Sequence, residues 1–436
     1  MRSISDAAEI DELLSFCSTM GFFDYKYLDA NKIRGFDNYR YSCIDNSPIA
    51  VYISHPFWNW FVHFYPEWLA PNVLTLTGAC LVMGCYFFVS WIDPNLNSNN
   101  YGAPDSENIP NWIWLLCSIC TFTAHLLDGT DGKQARRTGA SGPTGELFDH
   151  GLDSWSTVPF TITIFSIFGR GEYSIDPVHL LGILITVQLV FIVTHWEKYN
   201  TGVLFLSWGY DASQYGLSLF YLFTYLVGHK YYHFYVIPGF SFAQVFEIGF
   251  YVICVLSFVM SGYNMYYSYY VDKTGKQDNF IEMILPMVSP TVLFTVSVYW
   301  AKNSPQNVID SNPRLFFWTM GVVFSNIAVR LIIAQMSVTR SEVMNKCLIL
   351  YSLIAGLAVS GFFGESEVTI LRLLGFVLTA AHVHYGTCVV RQLCSHFKIN
   401  AFNLDYLRQS SQNKERQEGS RIYRLPSEAN RTLQTL

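Results

Sequence analysis

The chain has 436 residues, of which 51% are hydrophobic and only 14% are charged. Soluble globular proteins of this length carry about 25% charged residues, so much of this chain must face lipid instead of water. The formal net charge of −6 gives no overall basic field, which argues against a nucleic-acid partner.

Residues 1–47 form a polar and aromatic segment ahead of the first long apolar run, and we expect this segment to be cytosolic. No short apolar stretch follows a basic start, so a cleaved signal peptide is not predicted. Just before the first apolar run, aromatic residues recur at helical spacing: Phe57, Trp60, Phe61 and Phe64. The other faces of this stretch are polar and carry His55, Asn59 and His63. The pattern predicts an amphipathic helix that lies in the membrane interface.

About ten segments are apolar over the ~20 residues that a membrane-spanning helix needs. They lie near 71–92, 111–131, 147–169, 178–195, 211–228, 243–268, 280–300, 314–336, 346–363 and 368–390. The sequence therefore predicts an all-α polytopic membrane protein. The membrane domain would cover 48–395, and the polar stretch 396–436 would be a disordered cytosolic tail.

Lys and Arg are unevenly distributed over the loops between these segments. One set of loops holds Lys133, Arg136, Arg137, Lys198, Lys273, Lys276, Arg340, Lys346, Arg391 and Lys398, and the other set only Arg170, Lys230, Lys302 and Arg314. Because basic residues concentrate in cytosolic loops, we expect the richer set to face the cytosol. An even number of spans then places both termini in the cytosol.

Carboxylates cluster where the second predicted span meets the third. Asp128 and Asp131 are three residues apart and Asp149 and Asp153 are four apart, so each pair shares one face of its helix. The two spans are antiparallel neighbours, and all four side chains would converge at their cytosolic ends. A buried Asp in a membrane costs roughly 2.5–3.5 kcal/mol, so the cluster requires cations. Two carboxylate pairs predict two hard ions, Mg²⁺ or Mn²⁺.

Small residues and one arginine are interleaved with these carboxylates. Gly132, Ala135 and Gly145 leave room for a bound phosphate, and Arg136 offers a planar fork of donors to phosphate oxygens. The site is therefore predicted to recognise a diphosphate. The alternative is that the Asp residues cap helices or pair with neighbouring cations, which explains a single Asp but not four at these offsets.

The order DxxDGxxAR, eight residues, GxxxDxxxD resembles the signature of the CDP-alcohol phosphotransferase family. The flanking HPFWNW, WLAPN, IFGRG and HWEKYNTG are similar to the eukaryotic choline/ethanolamine phosphotransferase branch, closest to its ethanolamine-specific members. The likeness extends from about Phe36 to about Phe402. One member of this branch is a selenoprotein, whereas the C-terminal tail of this chain has no selenocysteine.

The resemblance implies a homodimer with a catalytic core over about 71–270, additional spans over about 280–390, and a chamber open to the cytosol and the bilayer. It implies two metal ions on Asp128, Asp131, Asp149 and Asp153, with Asp153 as general base. The implied reaction transfers phosphoethanolamine from CDP-ethanolamine to the hydroxyl of diacylglycerol or alkyl-acylglycerol, in the endoplasmic reticulum or Golgi membrane. A cholinephosphotransferase, or an enzyme of dual specificity, is the first alternative. A divalent-cation transporter is the second, although it leaves Arg136 unexplained.

Four further residues are weaker candidates for the site. His150 lies beside Asp149 and is an alternative general base or a hydrogen-bond partner. Asn72 follows Pro71, with Thr75 three residues on, and is placed near the nucleotide phosphates unless it only caps its helix. Lys198 is a candidate for binding phosphate and Glu197 for binding the ammonium head group. Solvated charge at a helix end explains the last two equally well.

Overall fold

The computed structural model describes residues 21–102, 104, 108–206 and 209–407, and helices dominate it. Two short helices, α1 (Ala30–Asp37) and α2 (His55–Phe61), precede the long ones. The strands are very short. Strand β1 (Cys43–Ile44) pairs in parallel with β2 (Leu204–Phe205), and β3 (Tyr235–Ile237) pairs antiparallel with β4 (Phe240–Ser241). The all-α prediction is confirmed.

Each predicted span corresponds to a helix. The helices are α3 (Pro71–Ile92), α4 (Trp112–Thr138), α5 (Pro143–Phe165), α6 (Pro177–Thr201), α7 (Gly209–Val227), α8 (Phe242–Tyr266), α9 (Phe280–Asn303), α10 (Pro313–Ser337), α11 (Lys346–Val359) and α12 (Glu367–Phe397). Within the described residues, 7 helices are long and apolar enough to cross a membrane. This confirms a polytopic membrane protein. Helices α5, α7 and α11 are not among these seven, so the number of spans stays a prediction.

The helices that carry the acidic motif extend beyond their predicted apolar windows. Helix α4 continues to Thr138 and ends where Gly139 adopts a left-handed φ of 75°, a conformation that glycine accepts without strain. Helix α5 begins at Pro143, whose fixed φ suits a first helical turn. The acidic motif therefore lies on regular α-helix, and the two residues of each Asp pair are related by helical spacing as predicted.

Helix α10 packs on α5, which carries two of the Asp residues of the motif. Its apolar window is 89% buried inside the protein, and it packs against α5, α6 and α12. At Gly321 the approach to α5 is so close that a Cβ would lie 2.1 Å from the Val158 side chain. The buried α10 thus fixes α5, while α3 packs on both α4 and α5.

The predicted amphipathic helix is present as a π-helical turn, α2 and a final 3₁₀ turn over residues 50–64. Trp58 is buried and packs edge-on against His125 of α4, with ring centroids 5.4 Å apart. Trp60 and Phe64 point outward, at 59% and 63% exposure. The helix is amphipathic as expected, and its position in the membrane interface stays a prediction.

The N-terminal segment packs on α10 and α12. Gln392 on α12 accepts hydrogen bonds from the backbone N–H groups of Tyr27 and Leu28, at 2.8 and 3.0 Å. Further along, β1 joins the segment to the loop that follows α6. Residues 1–20 and 408–436 lie outside the described residues, and with them most of the predicted disordered tail. The part of that tail from 396 to 407 is described: α12 continues to Phe397, and Leu404 is buried.

Candidate active site

A cavity of 1480 Å³ lies among α4, α5, α6, α7 and α8, with part of the N-terminal segment as a further wall. All four Asp residues of the motif line it: Asp128, Asp131, Asp149 and Asp153. One side of the cavity is therefore acidic. The rest is mainly apolar and aromatic and extends along α6 and α8.

Three of the carboxylates form a compact group. One oxygen each from Asp128, Asp131 and Asp149 lies within 4.8 Å of the others. Asp153 lines the same cavity one turn further along α5 but is not part of this group. Oδ1 of Asp149 is buried and has no hydrogen-bond partner among the described residues. An unpartnered buried carboxylate oxygen beside two others fits a hard divalent cation.

Two hydroxyl groups hold these carboxylates in place. Tyr210, near the start of α7, donates a hydrogen bond of 2.8 Å to Oδ2 of Asp128. Thr75 on α3 donates a hydrogen bond to Oδ2 of Asp131. Tyr210 could not be predicted from the sequence, because no spacing rule links the start of α7 to the motif on α4.

The residues predicted to bind the diphosphate surround the acidic group. Asn72, Gly132, Ala135, Arg136 and Gly145 all line the cavity. A Cβ placed on Gly145 would lie 3.5 Å from Oδ1 of Asn72, so the start of α3 faces the start of α5. Arg136 is exposed at the acidic side of the cavity. The structure therefore brings all five residues together with the carboxylates.

His150 also faces the cavity. Its Nε2 lies 3.8 Å from Oδ2 of Asp149, and its side chain is 12% exposed. The ring packs edge-on against His195, with centroids 5.3 Å apart, and His195 in turn contacts the Gln335 amide at 3.1 Å. Although His150 is next to Asp149 in the sequence, so that the two side chains leave the helix in different directions, His150 still lines the cavity. Both His150 and Asp153 remain candidates for the general base.

Lys198 and Glu197 are not among the described residues that line the cavity. Lys198 is 3% exposed and pairs with Glu146, and its Nζ donates to the Tyr39 hydroxyl at 2.7 Å. Glu197 is 2% exposed and accepts a hydrogen bond of 2.8 Å from Asn264. Because both side chains are buried, the alternative interpretation, solvated charge at a helix end, is wrong for these two residues. Glu146 and Tyr39, which no sequence pattern singles out, line the cavity instead.

Comparison with known proteins gives consistent matches. The family model for CDP-alcohol phosphatidyltransferases matches residues 68–258. The chain is 41% identical to ethanolaminephosphotransferase 1 of Mus musculus over 384 residues and of Homo sapiens over 383, covering 87% of this chain and 95% of each relative. It is 27% identical to cholinephosphotransferase 1 of Danio rerio over 388 residues, covering 86% of this chain and 95% of that relative.

Proposed function

The chain belongs to the CDP-alcohol phosphatidyltransferase family and is a multispanning membrane transferase, and we propose that it transfers phosphoethanolamine from CDP-ethanolamine to diacylglycerol or alkyl-acylglycerol. The observation that carries this proposal is the convergence of Asp128, Asp131 and Asp149 in a cavity that also holds the phosphate-binding residues. The higher identity to the ethanolamine relatives, 41% against 27%, supports ethanolamine as the head group.

In this proposal the four Asp residues hold two divalent ions, Mg²⁺ or Mn²⁺. Bound ions of this kind neutralise charge on a diphosphate and on its leaving group. Arg136 donates hydrogen bonds to phosphate oxygens, and Asn72 lies beside the nucleotide. Gly132 and Gly145 keep the cavity wide enough for the phosphates, since neither presents a side chain to it.

The reaction is an in-line displacement at the phosphorus that bears ethanolamine. The lipid hydroxyl oxygen forms the new P–O bond, while the bond from that phosphorus to the bridging oxygen breaks and CMP leaves. His150 or Asp153 accepts the hydroxyl proton. The products are phosphatidylethanolamine and CMP. The apolar walls of the cavity limit competing hydrolysis because they keep water from the reacting phosphorus.

We place the enzyme in the endoplasmic reticulum or Golgi membrane as a homodimer, with the site and both termini facing the cytosol. The distribution of Lys and Arg over the loops supports this orientation. It predicts that Asn430, in the acceptor sequence Asn430-Arg431-Thr432, is never glycosylated. A glycosidase-sensitive mass shift that disappears in Asn430→Gln would reverse the orientation.

The direct test compares CDP-ethanolamine with CDP-choline on the purified protein in nanodiscs that contain diacylglycerol. CMP should appear only when a donor and diacylglycerol are both present, with phosphatidylethanolamine as the preferred product. Head-group discrimination by methyl groups amounts to about 1–3 kcal/mol each, so a measurable preference is expected. Equal or better turnover of CDP-choline contradicts the ethanolamine assignment. Ion flux without CMP release from either donor contradicts the transferase and supports a transporter.

A further inference from the structure

The amphipathic helix ahead of α3 packs on the part of α4 that carries the acidic motif. We call residues 50–69 the interfacial segment; it comprises the π-helical turn, α2, the 3₁₀ turn and the residues that lead to α3. Its buried side chains recur every four residues, so they share one helix face: Ser54, Trp58 and Val62. The segment therefore has one inward face, and that face meets α4 and α7.

Trp58 packs directly on the backbone of α4 between two of the motif carboxylates. A Cβ placed on Gly129 would lie 2.3 Å from the Trp58 ring, so only a residue without a side chain allows this approach. Gly129 stands between Asp128 and Asp131 in the sequence. If the segment moves away from α4, the turn that carries Asp128 and Asp131 loses the ring that packs on it.

Hydrogen bonds extend this contact along α4. Lys133 donates to Oδ1 of Asn59 at 2.8 Å. Arg137 donates to the backbone carbonyls of Val62 and Tyr65, at 3.1 and 2.6 Å. The two donors are four residues apart and therefore lie on one face of α4. Because these bonds are exposed or only partly buried, opening them costs little, and the segment can leave α4 without global unfolding.

A second connection to the carboxylates runs through α7. Ser54 donates a hydrogen bond of 2.6 Å to Oδ2 of Asp211, and both side chains are buried. Asp211 follows Tyr210, whose hydroxyl donates to Asp128. The interfacial segment is therefore connected to Asp128 by two routes, through Trp58 on α4 and through Ser54 on α7.

The outward face of the interfacial segment is apolar. Its side chains are large, and each is more than half exposed: Tyr52, Ile53, Trp60, Phe64 and Trp68. Helix α3 follows the segment directly and is long and apolar enough to cross a membrane, which places the segment at the membrane surface. Aromatic side chains are typical of that level.

The charge of the segment indicates which property of the membrane it responds to. The sequence has no Lys or Arg between Arg40 and Lys133, so the segment lacks the basic residues that attract anionic lipids. Its outward face binds the membrane by burying apolar surface alone. Such binding is stronger where loosely packed lipids leave hydrocarbon accessible at the surface.

We propose that the interfacial segment is a sensor of lipid packing that couples the membrane surface to the carboxylates of the site. Loosely packed lipid takes up the outward aromatic side chains and holds the segment on α4, with Trp58 and Ser54 in place. Tightly packed lipid excludes these side chains and favours the state in which the segment has left α4. Because the lipid binds the two states differently, its packing shifts the equilibrium between them.

This inference rests on the proposed function, which supplies the reaction that the sensor controls. Diacylglycerol and phosphatidylethanolamine both have small head groups, and small head groups leave hydrocarbon accessible at the membrane surface. The proposed acceptor and the proposed product therefore both favour the state in which the segment lies on α4. Turnover should rise as either lipid accumulates around the enzyme.

Bilayers with one head group and different packing test the sensor. CMP release from CDP-ethanolamine is compared in nanodiscs of palmitoyl-oleoyl-phosphatidylcholine and of diphytanoyl-phosphatidylcholine, whose branched chains loosen the packing, at the same share of diacylglycerol. The wild-type protein should turn over about fivefold faster in the loosely packed bilayer. Replacing part of the phosphatidylcholine with phosphatidylserine should change turnover by about twofold or less, because the segment has no basic residue.

Matched tryptophan substitutions assign this response to the segment. Trp60→Ala should reduce the response to packing to about twofold or less. Trp91→Ala is the control, because Trp91 is 79% exposed on the last turn of α3, at the end that points away from the segment; it should keep the wild-type response. An unchanged response in Trp60→Ala overturns the proposal. Dissociation of a dimer in Trp60→Ala also overturns it, because a second copy of the chain would then cover this face.

Matched serine substitutions test the connection through α7. Ser54→Ala removes the hydrogen bond to Asp211 and should reduce the response of turnover to packing by about twofold or more. Ser297→Ala on α9 instead removes a buried hydrogen bond with Tyr351, 2.8 Å long, and should keep the wild-type response. A full response in Ser54→Ala overturns the route through α7.

Hydrogen exchange follows the segment without turnover, including the case in which a variant is inactive. In nanodiscs without substrate or metal, amides of residues 50–69 should exchange about fivefold more slowly in the loosely packed bilayer. Ser54→Ala should retain this difference, whereas Trp60→Ala should lose most of it. Equal exchange in the two bilayers overturns the proposal. Exchange that follows packing in a protein that releases no CMP leaves the sensor in place and contradicts the proposed reaction instead.

Discussion

The hydroxyl of Tyr210 lies 2.8 Å from Oδ2 of Asp128 and donates a hydrogen bond to it. The contact joins the start of α7 to the acidic motif on α4. A hydrogen bond to a charged carboxylate contributes about 1.5–3 kcal/mol, and here it fixes the direction in which the Asp128 carboxylate points. Tyr210 therefore acts as a positioning residue for a predicted metal ligand.

Tyr210→Phe should weaken metal binding more than it lowers the maximal rate. We expect the Mn²⁺ concentration for half-maximal activity to rise about tenfold, with turnover at saturating Mn²⁺ within about threefold of wild type. Tyr215→Phe is the matched control, because the Tyr215 hydroxyl lies 3.3 Å from Ser54 instead of a motif carboxylate. Wild-type Mn²⁺ dependence in Tyr210→Phe would show that the contact has no such role.

His150→Ala and Asp153→Asn separate the two candidates for the general base. Loss of a general base lowers the rate by about 10²–10⁴-fold and is not restored by added metal. The variant that stays inactive at saturating Mn²⁺, while still binding CDP-ethanolamine by calorimetry, identifies the residue that accepts the proton. Recovery of both variants at high Mn²⁺ would exclude both residues from that role.

Glu342, in the loop after α10, pairs with Lys32 at 3.1 Å and with Arg330 at 2.5 Å. Burial acts to raise the pKa of this carboxyl, but Arg330 and Lys32 outweigh it, and the pKa is lowered. Because the pKa of Glu342 is lower in the folded state, its ion pairs stabilise the protein at pH values above the unfolded-state pKa of about 4.3. This stabilisation is lost as the pH falls through the folded-state pKa.

Glu342→Gln should therefore lower the Tm at neutral pH, by about 2 °C or less because the pair is partly exposed. The difference from wild type should shrink as the pH falls below about 4. Glu365→Gln, at an exposed position on the turn before α12, is the control. A Tm difference that is the same at neutral and acidic pH would contradict the assigned ion pairs.

Local periodicity was enough to predict the helices and the carboxylate pairs. Helical spacing is a property of neighbouring residues, so Asp128 with Asp131, and Asp149 with Asp153, could be placed on shared faces before any packing was known. The helix ends were less accurate, because the apolar window ended near residue 131 whereas α4 continues through polar residues to Thr138.

Contacts between distant segments could not be predicted in this way. The pairing of Lys198 with Glu146 and Tyr39 depends on the N-terminal segment folding across the site, and no local pattern encodes that placement. The same holds for Tyr210, whose helix reaches Asp128 only through its packing on α4. Sequence spacing thus located the acidic motif, while tertiary packing decided which other side chains surround it.

The metal dependence of Asp131→Asn and Asp149→Asn, assayed in nanodiscs with CDP-ethanolamine and diacylglycerol, tests the central claim most directly. If these carboxylates hold ions, each variant should lose most activity at low Mn²⁺ and regain part of it as Mn²⁺ is raised, since mass action offsets a lowered affinity. Elution at the wild-type volume and wild-type thermal unfolding control for folding. Near-normal turnover and unchanged metal dependence in both variants would contradict catalysis by metal ions at this carboxylate group.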